Sequence, residues 1–246
     1  MAEIVLSPTS AFAGIPRGRS GQTDGPPGVI ASERTDLAMA TIIARKGQSA
    51  ALRDTVREIY GLKLPIRPTW VGNDELAFLW SGPDQWLALA TGTIGPLSPL
   101  RERVGVRAFA SFEDAASETT ASKALTPPFP TRGRGSPAGG FVDIETELRE
   151  SIGAFAAISA QGDGRAVLRL SGPNVHDTLA KGLPIDLHES AFKPGDVAIT
   201  QIAHIGVTIR QIDSSPTYEI ILARSLSLSF WSWLVASSGE FGLDFT

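Results

Sequence analysis

The feature that most constrains this chain is the run of three β-rich segments near its C-terminal end, DVAITQIA, GVTIRQI and TYEIILA. Each is seven or eight residues of mostly β-branched or other apolar type, and turn signals at Gly206 and from Asp213 to Pro216 separate them. Segments this short and this closely spaced are candidate antiparallel neighbours.

The rest of the chain alternates. MATIIARKG (39–47) reads as a strand ending in a turn, and SAALRDTVREIYG places Leu52, Val56, Ile59 and Tyr60 at helical spacing with Gly61 as the C-terminal cap. ELAFLW and WLALA flank SGPDQ, a hairpin with Pro83 and Asp84 in the turn. ETELRESIGAF predicts a helix and RAVLRLSG a strand. SGPNVHDTLAKG predicts a second helix, capped by Ser171 or Gly172 with Pro173 in its first turn, Val175 and Leu179 buried and His176 pointing elsewhere. Gly182 with Pro184 is expected to stop that helix, and KPGD is a turn.

The predicted fold class is α+β: two βαβ-type modules with antiparallel sheets, followed by a C-terminal amphipathic helix. The expected organisation is a flexible tail over 1–28, a first module over 29–110, a disordered insertion over 111–140 and a second module over 141–246, the two modules forming one compact domain. The tail and the insertion are assigned from Gly/Pro-rich composition and from a length well beyond ordinary connections.

The last helix, SLSLSFWSWLVASSGEFG, is capped by Ser225 or a neighbouring serine and carries two apolar faces. Leu226, Phe230, Trp233 and Leu234 line one, and Leu228, Trp231 and Val235 the other. A helix lying on a sheet needs one apolar stripe, so the second face needs another neighbour. Another part of the same chain is the ordinary cover, and a partner protein is the alternative.

Chemistry is sparse. There is no cysteine, which removes disulfides, thiolate nucleophiles and Cys-type metal sites and suits a cytoplasmic protein. The net charge of −4 offers no basic surface to nucleic acid, and no apolar run approaches the ~20 residues that span a bilayer. The N-terminus lacks the basic start of a signal peptide. The three histidines, His176, His188 and His204, lie 12 and 16 residues apart, without the three- or four-residue spacing that puts two ligands on one helical face. His204, within QIAHIGV, is expected in the core or at a sheet edge. No GxSxG elbow, phosphate loop or dinucleotide fingerprint occurs. The residues predict no catalytic, cofactor-binding or metal-binding position.

The same stretches carry a family resemblance. LSGP, LAKG, PIDLH, F-x-PG, T-x-x-A-x-I-G, RS and a Trp-rich last helix ending in EFG occur in that order, with ERTDLAMATIIARKGQ, LPIRP and SGPDQWLALA in the N-terminal half. Together they resemble the gamma subunit of heterotetrameric sarcosine oxidase. The resemblance departs where an Asp-x-Ser element is expected before RAVLRL, since Ala160 and Gly162 stand there.

The resemblance implies a fold similar to part of the glycine-cleavage T-protein (aminomethyltransferase). It implies a non-catalytic chain in a complex that demethylates sarcosine oxidatively to glycine, a one-carbon unit and hydrogen peroxide. FAD, FMN, NAD and tetrahydrofolate are then expected on the alpha and beta subunits, and zinc on the delta subunit. With large partners implied, the face of Leu228, Trp231 and Val235 becomes the expected subunit interface. The enzyme-class rival is a stand-alone, T-protein-like folate-binding aminomethyltransferase, and an unrelated α+β binding domain is the third reading.

Overall fold

The computed structural model describes residues 9–73, 75–91 and 144–246. They form two sheets packed face to face, each covered on its outer side by helices. The larger sheet has seven strands in the order β1 (Gly18–Ser20), β12 (Leu243–Phe245), β2 (Val29–Glu33), β8 (Arg165–Ser171), β11 (Thr217–Ala223), β10 (Ile205–Asp213) and β9 (Val197–Ile202). The smaller has β4 (Trp70–Gly72), β5 (Leu76–Gly82), β6 (Gln85–Thr91), β3 (Leu37–Ala44) and β7 (Ala156–Ala160). All pairings are antiparallel except β12 with β2. This is the expected α+β class with antiparallel sheets.

The module boundaries differ from those read along the sequence. β2 leaves the first half to join the larger sheet, while α2 (Ile144–Ile152) and β7 leave the second half to complete the smaller one. The halves thus exchange elements, because β2 pairs with β8 and β7 with β3. The expected insertion over 111–140 lies outside the described residues.

Alternation along each strand builds three cores. On the smaller sheet, Phe78, Trp86 and Ala88 face α1 (Ser49–Tyr60) and α2, packing on Leu52, Val56, Leu148 and Ile152. Gly61 caps α1 in the left-handed region and its amide donates to the Arg57 carbonyl at 3.1 Å, as the spacing predicts. On the larger sheet, Leu168, Leu170, Ile209, Tyr218 and Ile220 face α3 (Val175–Ala180) and α4 (Ser227–Ser238), meeting Leu179, Phe230 and Leu234. Between the sheets lies a smaller cluster of Met39, Ala77, Leu79, Leu87 and Leu89 against Val167, Val197 and Ile221. The hairpin at Pro83 and Asp84 forms as expected, with Asp84 at φ 56°.

Residues 9–28 do not behave as the expected tail. Phe12 is fully buried, and its ring meets those of Phe245 and Trp231 at 6.2 and 6.1 Å. Glu33 holds the turn around it, accepting from the Ala11 amide at 2.9 Å and from the Ser10 hydroxyl. Arg17 reaches the Thr246 carbonyl and lies 3.8 Å over the Phe245 ring. Composition marks this segment as too polar to fold, but two aromatic anchors at the far end of the chain hold it.

Three local expectations also change. α3 starts at Val175, so Pro173 precedes it, and neither α3 nor α4 has a side-chain cap bond; Ser227 donates instead to the Ala11 carbonyl. Gly182 is not a left-handed cap. A Cβ there would come 2.7 Å from the Trp233 ring, so close packing requires the glycine. The β9–β10 turn falls at Ala203 and His204, both at positive φ, and not at Gly206.

Candidate functional site

The buried polar groups concentrate where the two sheets meet. Arg169 on β8, Arg210 on β10 and Glu219 on β11 fall on the same face as Val167 and Ile221, turned toward the smaller sheet. Arg34 enters from the connection between β2 and β3, which passes from one sheet to the other.

Glu219 is fully buried. One of its oxygens accepts from Arg34 Nη1 at 2.5 Å and Arg169 Nη2 at 2.7 Å, the other from Arg210 Nε and Nη2 at 2.9 and 2.5 Å. Arg34 also pairs with Asp36 through Nε and Nη2, at 2.7 and 2.8 Å. Arg210 lies 4.6 Å over the Trp70 ring of the smaller sheet, and Trp70 Nε1 donates to the Gln211 carbonyl at 3.0 Å. The cluster therefore ties β2, β8, β10 and β11 to β4.

The electrostatics follow from burial and pairing. Burial alone would raise the Glu219 carboxyl, but the Arg210 charge and the arginine hydrogen bonds outweigh it, and its pKa falls below the ordinary range. Burial lowers the Arg210 guanidinium despite Glu219. The hydrogen bond from Arg34 holds Asp36 low, and the same bond raises Arg34. Both Glu219 oxygens are saturated with donors, so this carboxylate has no lone pair free to accept a substrate proton. Charge-paired and sealed, it is built to hold the sheets in register.

The three histidines are dispersed, as their spacing predicts. His176 on α3 contacts the Tyr218 hydroxyl at 2.5 Å through Nε2. His188 is exposed and its Nδ1 contacts Ser190 Oγ at 2.9 Å. His204 is not in the core but exposed in the turn that joins the edge strand β9 to β10. Among the described residues no three His, Cys, Asp or Glu side chains gather as a metal site. No described helix is long and apolar enough to cross a membrane. Ala160 ends β7, opposite Ala40, and Gly162 lies in the turn that follows.

On α4, Trp231 packs on Phe245 with ring centroids 4.4 Å apart and on Phe12, while Val235 is half-buried against the same core. Leu228 is 60% exposed. The second apolar face is thus partly covered from within by the two chain ends. Of the first face, Phe230 and Leu234 are buried, Trp233 lies over Gly182, and Leu226 is exposed.

The stretch from Ala180 to Pro184 forms one wall of an open groove of about 500 Å³. Gln201, Ala203, His204 and Trp233 form the others. Sequence reasoning missed both this groove and the arginine cluster. The signal for the cluster was a charged residue in the interior of each of three adjacent, largely apolar strands: Arg169, Arg210 and Glu219.

Comparison with known proteins settles the family. Residues 100–240, more than half of the chain, match the sarcosine oxidase, gamma subunit family. The chain belongs to that family. No curated protein matches it in a sequence search. Among solved structures, the fold is similar to a chain of the heterotetrameric sarcosine oxidase from Corynebacterium sp. U-96 in complex with pyrrole 2-carboxylate. That match has a TM-score of 0.60 and 21% identity over 88% of this chain and 87% of that one. It is also similar to glycine cleavage system aminomethyltransferase T from Bartonella henselae, with a TM-score of 0.50 and 11% identity. There it covers 89% of this chain and 48% of the aminomethyltransferase. The gamma-subunit fold is therefore T-protein-like, and this chain spans about half the length of the aminomethyltransferase.

Proposed function

We propose that this chain is the non-catalytic gamma subunit of a flavin-dependent heterotetrameric sarcosine oxidase. The membership in the gamma subunit family over 100–240 carries the reading. The state of its buried polar centre supports it, since arginine donors take up both oxygens of Glu219. In the complex, sarcosine, oxygen and water give glycine, formaldehyde and hydrogen peroxide, with methylene-tetrahydrofolate replacing formaldehyde when folate accepts the one-carbon unit. The alpha, beta and delta subunits are the partners. They hold FAD, FMN, NAD, tetrahydrofolate and zinc, and the cytoplasm is the location that suits a cysteine-free chain.

The interface expected on α4 narrows to Leu228 with the outer parts of Trp231 and Val235, because Phe12 and Phe245 already occupy the inner side of the Trp231 ring.

Expression of the chain alone and with its partner subunits tests the reading. Alone it should be colourless and should consume no oxygen with sarcosine. Co-expressed, it should co-purify with yellow flavoprotein and accompany sarcosine-dependent oxygen uptake. Turnover by the isolated chain would overturn the non-catalytic role. Tight tetrahydrofolate binding by the isolated chain would favour the aminomethyltransferase-like alternative.

A further inference from the structure

The two sheets have four edges, and three are closed in familiar ways. β1 and β4 are only three residues long. β7 has its Ile158 carbonyl taken by Arg149 Nη2 at 3.4 Å. Short strands and charged side chains are common means of blunting an edge against further pairing.

β9 has neither protection. It is six residues, VAITQI, without a charge, a proline or a bulge. Its inner side pairs with β10 along its whole length. Its outer side is met at the start, where the Val197 amide donates to the Pro68 carbonyl at 3.1 Å and the Trp70 amide to the Gly195 carbonyl at 2.9 Å, and just past its end, where the Ala203 amide donates to the Gly182 carbonyl at 3.1 Å. Backbone groups alternate between the two sides of a strand. The direction of the Val197 amide therefore turns the amides and carbonyls of Ile199 and Gln201 outward as well. Among the described residues no strand lies beyond them.

The side chains along this edge are as open as the backbone. Ile199 is 52% exposed. Ile66, three residues before the Thr69 that bridges Asp196 at the start of β9, is 77% exposed. At the other end, Gln201 leads into the groove walled by Leu183, Pro184, Ala203 and Trp233, with Lys181 and His204 among its lining. The unpaired backbone donors and acceptors of Ile199 and Gln201 thus run up to this groove, whose Lys181 is already paired with Glu240 and the Ser237 carbonyl. The complement of such a surface is an extended peptide, held by main-chain hydrogen bonds and read by alternate side chains.

We propose that the outer edge of β9 receives an extended segment of a partner subunit as an eighth strand of the larger sheet. That segment places an apolar side chain over the exposed Ile199. The proposal rests on the reading of this chain as a subunit and adds the surface through which it assembles.

Two variants of the full chain, assembled with its partner subunits, test it. Gln201→Pro removes an outward amide while leaving the β9–β10 ladder intact, and Ile199→Lys puts a charge on the open edge. Each should weaken assembly at least tenfold, read by titration, while the circular dichroism and melting midpoint of the isolated chain stay as in the wild type. Ile43→Lys, at an exposed position of the interior strand β3, should leave assembly unchanged. Amide exchange at Ile199 and Gln201 should slow at least tenfold on assembly, a reading that needs no variant.

Normal assembly by both variants with those amides unprotected overturns the edge proposal and leaves the subunit reading standing. A wild-type chain that joins no partner overturns both. If the isolated chain dimerises and Ile199→Lys abolishes the dimer, the occupant is a second copy and the partner-strand proposal falls.

Discussion

Tyr218 and Glu219 are neighbours on β11, both fully buried, and they face opposite sides of one sheet. Tyr218 looks into the helix-covered core, among Phe192 and the apolar residues of α3 and α4, with His176 as the partner of its hydroxyl. Glu219 looks toward the second sheet and sits among three guanidiniums. The helix side is held by burial of apolar area, which is strong and indifferent to exact placement. The seam between the sheets has a smaller apolar cluster and adds charge pairing, which is directional. One face supplies most of the cohesion, and the other fixes how the two sheets sit together.

The largest effect expected is from Glu219→Gln. It leaves three arginines around an uncharged group, and loss of one partner of a buried ion cluster costs about 3–5 kcal/mol in chemical denaturation. Phe230→Ala, on the helix side, should cost about 3 kcal/mol through lost burial and a residual cavity. The two differ in salt dependence: the loss in Phe230→Ala should be insensitive to ionic strength. A Glu219→Gln protein as stable as the wild type would show that the apolar cluster alone aligns the sheets.

Gly182→Ala comes next. Its new Cβ must displace the Trp233 ring, at about 2 kcal/mol, visible as a lower melting midpoint and altered tryptophan fluorescence.

The pH dependence separates the two faces most directly. Glu219 and Asp36 have lowered pKa values, so their stabilisation is complete above the ordinary carboxylate pKa of about 4 and is lost as pH falls through the folded values. Burial, with a smaller contribution from Glu189, pushes Tyr218 up to about 12, so its contribution is present below about pH 10 and is lost as pH rises toward 12. Melting curves across pH should show an acid limb that shrinks in Glu219→Gln and an alkaline limb that shrinks in Tyr218→Phe. Persistence of both limbs in both variants would break the comparison. Smallest of all, Arg169→Ala should cost only about 1 kcal/mol, because that side chain is 38% exposed and solvent screens its pairing.

Much of the local structure was legible. Helical spacing found α1 and its glycine cap, and turn residues found the hairpin at Pro83 and Asp84, because these depend on residues close in sequence. The β9–β10 turn was displaced by two residues. A two-residue turn with both φ angles positive is ordinarily marked by Asn-Gly or a similar pair, and Ala203-His204 gives no such mark. The segment 9–28 was misread for a different reason. Its Gly and Pro content describes local freedom, while Phe12 is buried by Phe245 and Trp231, more than 200 residues away.

The arginine cluster was hidden for the same kind of reason. Arg169, Arg210 and Glu219 each read as the polar position of a strand that could face water, and Arg34 as part of a polar connection. Their burial depends on the second sheet lying across them.

The sequence by itself determined the α+β class, the positions of most elements, the dispersal of the histidines and the family resemblance. Those follow from periodicity, from turn chemistry and from motifs in fixed order. Only the tertiary structure decided the exchange of β2, α2 and β7 between the halves, the sealing of Glu219 and the exposure of the β9 edge. Each of those depends on which distant surfaces meet, and residue order alone does not encode that in any local pattern.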